Sequence, residues 1–287
     1  MRGLAAGLML LLLAAMPVRA QERVTFASAE PGGVPTLTAY LYKPAGNGPF
    51  PAMVLHHGCG GMYSRRGEPS PIIAAWAQRF VAAGMVALAV DSFGSRGYTE
   101  MCTRATPQPV RPALERTRDA FAALRYLRSR DDVRADRIGL IGWSHGGSTV
   151  LWSASRQASA QRAAAGPGPD FRAAIAFYPG CGAPLANRRY EAVVPLLVLV
   201  GEADDWTRAP PCTALAEAQH HKGAALELVL YPGAHHGFDA PGSRHLTRTD
   251  TAVARAKGGV VTLATDPDAR ADAIVRVAQF LEERLLQ

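Results

Sequence analysis

The chain has 287 residues, 48% of them hydrophobic, enough to bury one substantial core. Its formal charge is +7, yet the arginines are scattered instead of forming a run or an aromatic-interleaved patch, which argues against nucleic-acid binding.

Residues 1–20 contain Arg2, the apolar run LAAGLMLLLLAAM, Pro17 and the ending Val18-Arg19-Ala20, the parts of a secretory signal cleaved after Ala20. The alternative is an uncleaved anchor, but the run is short for a bilayer span. No later stretch is apolar enough to span, so an exported chain without stable membrane insertion is expected, periplasmic or secreted. Without Arg2 and Arg19 the formal charge falls from +7 to +5. Four cysteines, Cys59, Cys102, Cys181 and Cys212, lie in the exported part, where an even number favours disulfides. None has a C-x-x-C or Cys/His ligand spacing, so no metal site is expected.

Residues 21–287 read as one domain. VTFASAE and TLTAYLYKP flank Pro31-Gly32-Gly33 and predict an antiparallel strand pair. PAMVLHH then predicts a buried strand, PIIAAWAQRFVAA a helix, MVALAVD a strand and RPALERTRDAFAALRYLRS a longer amphipathic helix. RIGLIGW is a strand and HGGSTVLWSASRQ a helix; FRAAIAFYPG and VVPLLVLVG are strands. PCTALAEAQHHKG is a helix, ALELVLYPG a strand and ARADAIVRVAQFLEERLL the closing helix. Alternating strands and helices predict an α/β fold with a mostly parallel sheet of about eight strands covered on both faces. ASAQRAAAGPGPD reads as a loop, and residues 241–267 as a weakly periodic excursion or lid.

Gly142-Trp143-Ser144-His145-Gly146 fits G-x-S-x-G between a strand and a helix, the setting of a nucleophile elbow. A tight turn of this kind pushes the serine oxygen out over the sheet edge, and the helix N-terminus favours a developing oxyanion. A serine hydroxyl is a weak nucleophile without a base, so an acid and a histidine are required downstream, in that order. Glu202-Ala203-Asp204-Asp205 follows one strand and Ala234-His235-His236-Gly237-Phe238 the next, at the sheet edge where Ser144 lies. Asp204 or Asp205, and His235 or His236, satisfy the pattern equally.

The chain resembles the dienelactone hydrolase family of α/β-hydrolases from about residue 35 to its end. The resemblance is carried by His57-Gly58-Cys59-Gly60-Gly61, Asp91-Ser92-Phe93-Gly94-Ser95-Arg96-Gly97, Gly142 to Gly147, Gly201-Glu202-Ala203-Asp204, His236-Gly237-Phe238 and Thr265-Asp266-Pro267. It implies Asp204 as the acid, His236 as the base, and the backbone amides of Cys59 and His145 as oxyanion donors. It leaves His56 and His57 as hydrogen-bonded loop residues. The enzyme that gave the family its name uses a cysteine nucleophile; here the position is Ser144, so the resemblance implies ester or lactone hydrolysis without fixing the substrate. In the α/β-hydrolase topology all four cysteines sit in loops at the catalytic edge, and loop adjacency pairs Cys59 with Cys102 and Cys181 with Cys212. Arg96, with Arg104, is a candidate for binding a substrate carboxylate, against a loop-anchoring role. Trp206 is a second candidate substrate contact, in a pocket that also depends on Tyr63, Phe93 and residues 240–266.

The expected activity is that of an exported serine hydrolase acting on small-molecule carboxylic esters or lactones, with no metal or organic cofactor required. A prolyl-oligopeptidase-type peptidase or amidase, and a binding protein that has lost turnover, stand as alternatives. Oligomeric state is open.

Overall fold

The computed structural model describes residues 21–34 and 36–287. The predicted signal segment, residues 1–20, lies outside the described residues. An antiparallel pair, β1 (Glu22–Ala27) and β2 (Thr36–Tyr42), opens the chain, as the Pro-Gly-Gly turn predicts. The following strands are β3 (Phe50–His56), β4 (Val86–Asp91), β5 (Val133–Trp143), β6 (Ala173–Phe177), β7 (Leu196–Gly201) and β8 (Leu226–Tyr231). All eight form one sheet in the order β1-β2-β4-β3-β5-β6-β7-β8, parallel from β4 through β8. The mixed α/β architecture with a mostly parallel eight-stranded sheet is therefore as expected.

Strand periodicity explains how both faces are filled. In β3, Ala52 and Val54 join one apolar cluster while Met53 and Leu55 join the other; in β7, Leu196, Val198 and Val200 alternate with Leu197 and Leu199 in the same way. Helices α1 (Pro71–Ala82) and α8 (Pro267–Leu281) cover the second face. Helices α2 (Thr117–Arg128), α3 (His145–Ser153) and α6 (Ala209–His220) cover the first. Helix α2 is preceded by a π-helical turn, Pro112–Arg116, whose last residue is fully buried.

Three local features go beyond the sequence expectation. The stretch 158–170 is not simply a loop: a short helix, α4 (Ser159–Ala164), forms there because its alanine-rich run favours helix, and Gly166 at φ 77° turns the chain out of it. A further short helix, α5 (Gly182–Ala186), follows β6. The 241–267 excursion is ordered as β9 (His245–Arg248), α7 (Ala252–Lys257) and β10 (Val261–Ala264), the two strands pairing antiparallel. Four-residue strands are too short to show periodicity in sequence, but the caps are legible afterwards: the Thr251 side chain accepts from the Ala254 amide, and Gly258 at φ 64° ends α7.

Candidate active site

The carboxyl ends of the parallel strands bring the proposed residues to one edge. Ser144 stands between β5 and α3 at φ 54°, ψ −113°, a left-handed conformation rare for a non-glycine residue. Crowding explains its glycine neighbours. A Cβ at Gly142 would lie 2.4 Å from the Gly146 carbonyl oxygen, and one at Gly146 only 2.1 Å from the His56 carbonyl oxygen. The turn is thus wedged against the end of β3, and Ser144 remains 8% exposed.

His236 Nε2 is 2.9 Å from Ser144 Oγ, and His236 Nδ1 is 2.7 Å from Asp204 Oδ2. A hydroxyl donating to Nε2 while Nδ1–H donates to a carboxylate is the proton arrangement a serine nucleophile needs. Asp204 is held from the other side: its Oδ1 accepts from the Trp206 and Thr207 amides, both at 2.8 Å, and the Thr207 hydroxyl lies 2.9 Å from Oδ2. Burial disfavours its charge, but the His236 contact and these amides outweigh burial and hold the carboxyl below its ordinary value. Asp205 faces away, accepting from the Thr262 amide and hydroxyl of β10 at 2.7 and 3.0 Å. His235 also stands apart from Ser144, its ring 6.2 Å from that of His245. The geometry thus separates both pairs that the sequence pattern leaves equivalent.

A second buried carboxylate, Asp239, anchors the loop carrying His236. It accepts from Trp76 Nε1 at 2.9 Å, Trp143 Nε1 at 2.8 Å and the Tyr178 hydroxyl at 2.7 Å. Burial pushes its carboxyl up, and the three donors oppose that shift. Tyr178, itself at φ 36°, lies with its ring 4.6 Å from His236. The Trp206 ring is 4.9 Å from His236.

The loop after β3 passes close to the serine, with the position of a Gly58 Cβ 3.6 Å from Ser144 Cβ. Neither the Cys59 nor the His145 amide donates to another group among the described residues. Cys59 is bonded to Cys102, and Cys181 to Cys212, with Cα separations of 4.9 and 5.0 Å. The first bridge joins the loops after β3 and β4, as loop adjacency implies; in the second the pairing is as expected, but Cys212 lies in the first turn of α6 and not in a loop, and Cys181 caps α5.

Arg96 requires a correction. Its guanidinium is bound by Asp119 at 2.8 and 2.9 Å, by Glu30 at 2.7 and 2.9 Å, and by the Ser92 carbonyl. With both carboxylates and a carbonyl satisfying the fork, it anchors the loop after β4 and has no donor free for a substrate. Arg104 sits 4.6 Å over the Tyr98 ring. Phe93 is buried against His57 and His145, at 4.5 and 5.6 Å between ring centroids, and Tyr63 packs edge-on to Tyr40.

Sequence reading passes over Arg116, Gln108, Thr207, Tyr178 and Asp239. Only Asp239 carries a signal in hindsight, an acid three residues after His236; the others sit in segments with no motif. Among the described residues no group of three His, Cys, Asp or Glu side chains is arranged to hold a metal, and no helix is long and apolar enough to cross a membrane.

The dienelactone hydrolase family profile matches residues 37–285. A curated relative from Bradyrhizobium, named "Probable 2-oxo-3-(5-oxofuran-2-ylidene)propanoate lactonase", is 25% identical over 213 residues, 70% of this chain and 78% of the relative. Among solved structures, Thermogutta terrifontis esterase 2 superposes with a TM-score of 0.60 at 22% identity, covering 93% of this chain and 95% of the esterase. Pyrococcus horikoshii acylaminoacyl peptidase superposes with a TM-score of 0.64 at 18% identity, covering 94% of this chain but 42% of the peptidase. Both structural likenesses speak to the fold.

Proposed function

This chain belongs to the dienelactone hydrolase family, and we propose that it is an exported serine hydrolase that cleaves carboxylic esters or lactones through a Ser144-His236-Asp204 triad. The observation carrying the proposal is the continuous hydrogen-bonded chain from Ser144 Oγ through His236 to Asp204, at 2.9 and 2.7 Å. Ser144 Oγ attacks the carbonyl carbon while its proton passes to His236 Nε2. Asp204 keeps Nδ1–H oriented and stabilises the imidazolium. The carbonyl oxygen, now an alkoxide, accepts from the Cys59 and His145 amides. Collapse expels the alcohol, which takes the proton from Nε2; from a lactone it stays attached as a hydroxyl on the acyl chain. Water then attacks the acyl-enzyme, giving its proton to His236, and the acid leaves as Ser144 recovers its own.

Lactones belong in the substrate class because a relative matched over most of its length carries a lactonase name. An amide-cleaving reading draws on shared fold alone. Export is supported by the apolar segment ending at Ala20 and by two disulfides, which persist in oxidising compartments. Residues 21–287 then form the mature chain, as one domain.

A p-nitrophenyl acetate assay tests the chemistry. Ser144→Ala should lose about 10⁵-fold or more in kcat while remaining folded, and a fluorophosphonate probe should label wild-type protein at Ser144 alone. Retained turnover in Ser144→Ala sinks the reading, and faster cleavage of a matched p-nitroanilide would reassign the enzyme to amides. Amino-terminal sequencing of protein from the periplasm should begin at Gln21.

A further inference from the structure

Below the nucleophile elbow lies a charged group that the triad does not use. Arg116 is fully buried at the end of the π-helical turn before α2. It has no carboxylate within hydrogen-bonding reach; its acceptors are the His57 carbonyl, 2.8 Å from Nη2, and His145 Nδ1, 2.8 Å from Nη1. A buried guanidinium without a bonded counter-ion is costly, because desolvation is not offset by a direct ion pair. Asp119 and Asp91 act on it only at longer range.

The contacts close into a circuit. An arginine only donates, so His145 Nδ1 must accept, which puts the ring proton on Nε2. Nε2–H then donates to Gln108 Oε1 at 2.8 Å, and the Gln108 amide donates to the Met101 carbonyl at 2.8 Å. The Met101 amide in turn donates to the Cys59 carbonyl at 2.7 Å. From Cys59 the backbone runs two residues back to His57, whose carbonyl returns to Arg116. One tautomer of His145 satisfies all of these contacts together, while Arg116 Nε stays buried without a partner. The two residues proposed above as oxyanion donors, Cys59 and His145, are both members.

We propose that Arg116 is a positioning residue for the oxyanion pocket: it fixes the Cys59 and His145 amides relative to each other and places a buried positive charge beneath them. The inference rests on the serine-hydrolase reading above. Preorganised donors act because they need no rearrangement as the alkoxide forms, and a nearby cation in a dry interior favours that alkoxide further. The ground-state ester carries no such charge, so the residue acts on kcat and leaves substrate binding alone.

The test compares an aryl ester with its thiono analogue, whose sulfur is a poor acceptor in a pocket built for oxygen. Arg116→Met should lower kcat for the oxygen ester about 10- to 100-fold, less than deletion of a donor, with KM within about twofold. The ratio of oxygen-ester to thiono-ester turnover should fall with it. An unchanged ratio overturns the proposal, whether kcat is retained or falls equally for both esters, the latter being the mark of a purely structural role. Should Arg116→Met fail to fold, His145→Leu decides: it removes the ring but keeps the amide, and the same fall in ratio is expected, a wild-type ratio overturning the proposal. Wild-type protein that labels at Ser144 and turns over the ester isolates these outcomes from the parent reading, whereas an inert, unlabelled wild type overturns both.

Discussion

The two sides of Ser144 are built from opposite charges. On the side of the base stand two buried carboxylates, Asp204 and Asp239, among aromatic rings. On the side of the β3 loop stand a buried guanidinium, Arg116, two buried imidazoles, His56 and His57, and the half-buried His145. In the proposed reaction a positive imidazolium forms on the first side and a negative alkoxide on the second. Each side thus holds in advance the charge opposite to the one that will form there, which is what electrostatic preorganisation requires. The supporting groups also differ in how they are satisfied. The carboxylates collect amide, indole and hydroxyl donors, while the guanidinium reaches carbonyl and imidazole acceptors.

Among changes that probe this contrast, the largest effect should come from neutralising the acid. Asp204→Asn keeps the shape but lets the amide donate to His236, favouring the wrong tautomer, and kcat should fall about 10⁴-fold. Steady-state kinetics with circular dichroism checks this; a loss under about tenfold would break the contrast, since the negative charge on the base side would then be dispensable.

Next comes the anchor of the same side. Asp239→Leu strands three buried donors, Trp76, Trp143 and Tyr178, and should cost about 3 kcal/mol or more of stability. Asp239→Asn should cost less, because its oxygen can still accept from both indoles and its amide can donate to the tyrosine oxygen. Urea denaturation distinguishes the two variants, and equal losses would show that charge, not hydrogen bonding, secures the loop.

The smallest effect is one of pH, and it sharpens the contrast. Burial, reinforced by the Arg116 charge, holds His56, His57 and His145 well below their ordinary value. In the unfolded chain each takes up a proton near pH 6.5, so the unfolded state binds more protons and stability should fall as pH drops below about 6.5. Asp204, depressed instead from the carboxylate range, contributes stability above about pH 4 that is lost only as pH falls further. The oxyanion side should therefore weaken first on acidification. Thermal melts between pH 8 and 5 should show a slope that His56→Gln reduces; an unchanged slope would mean that this imidazole does not set it.

Sequence reading reaches the sheet, the elbow and the order of acid and base because these rest on local rules: strand period, glycine crowding at a tight turn, and a proton relay that needs three residue types. It stops short at contacts made across the fold. Asp204 and Asp205 are neighbours with the same side chain, and only the direction of the loop gives one to His236 and the other to Thr262. Arg96 sits beside the site in sequence pattern, yet Glu30 and Asp119, 66 and 23 residues away, take its guanidinium. Arg116 carries no motif at all; its meaning comes from a circuit joining positions 57, 59, 101, 108 and 145.

One element touches both sides. The β9-α7-β10 excursion donates from the Ala252 amide and the Arg255 guanidinium to the loop carrying Cys102, and it holds Asp205 through Thr262 and Lys257. It also pairs at Leu263 with His236. Its strands join no others and lie outside the eight-stranded sheet. Changes in its length or side chains can therefore reach the surroundings of His236 and of the Cys102 loop while the pairing of the eight-stranded sheet stays in place.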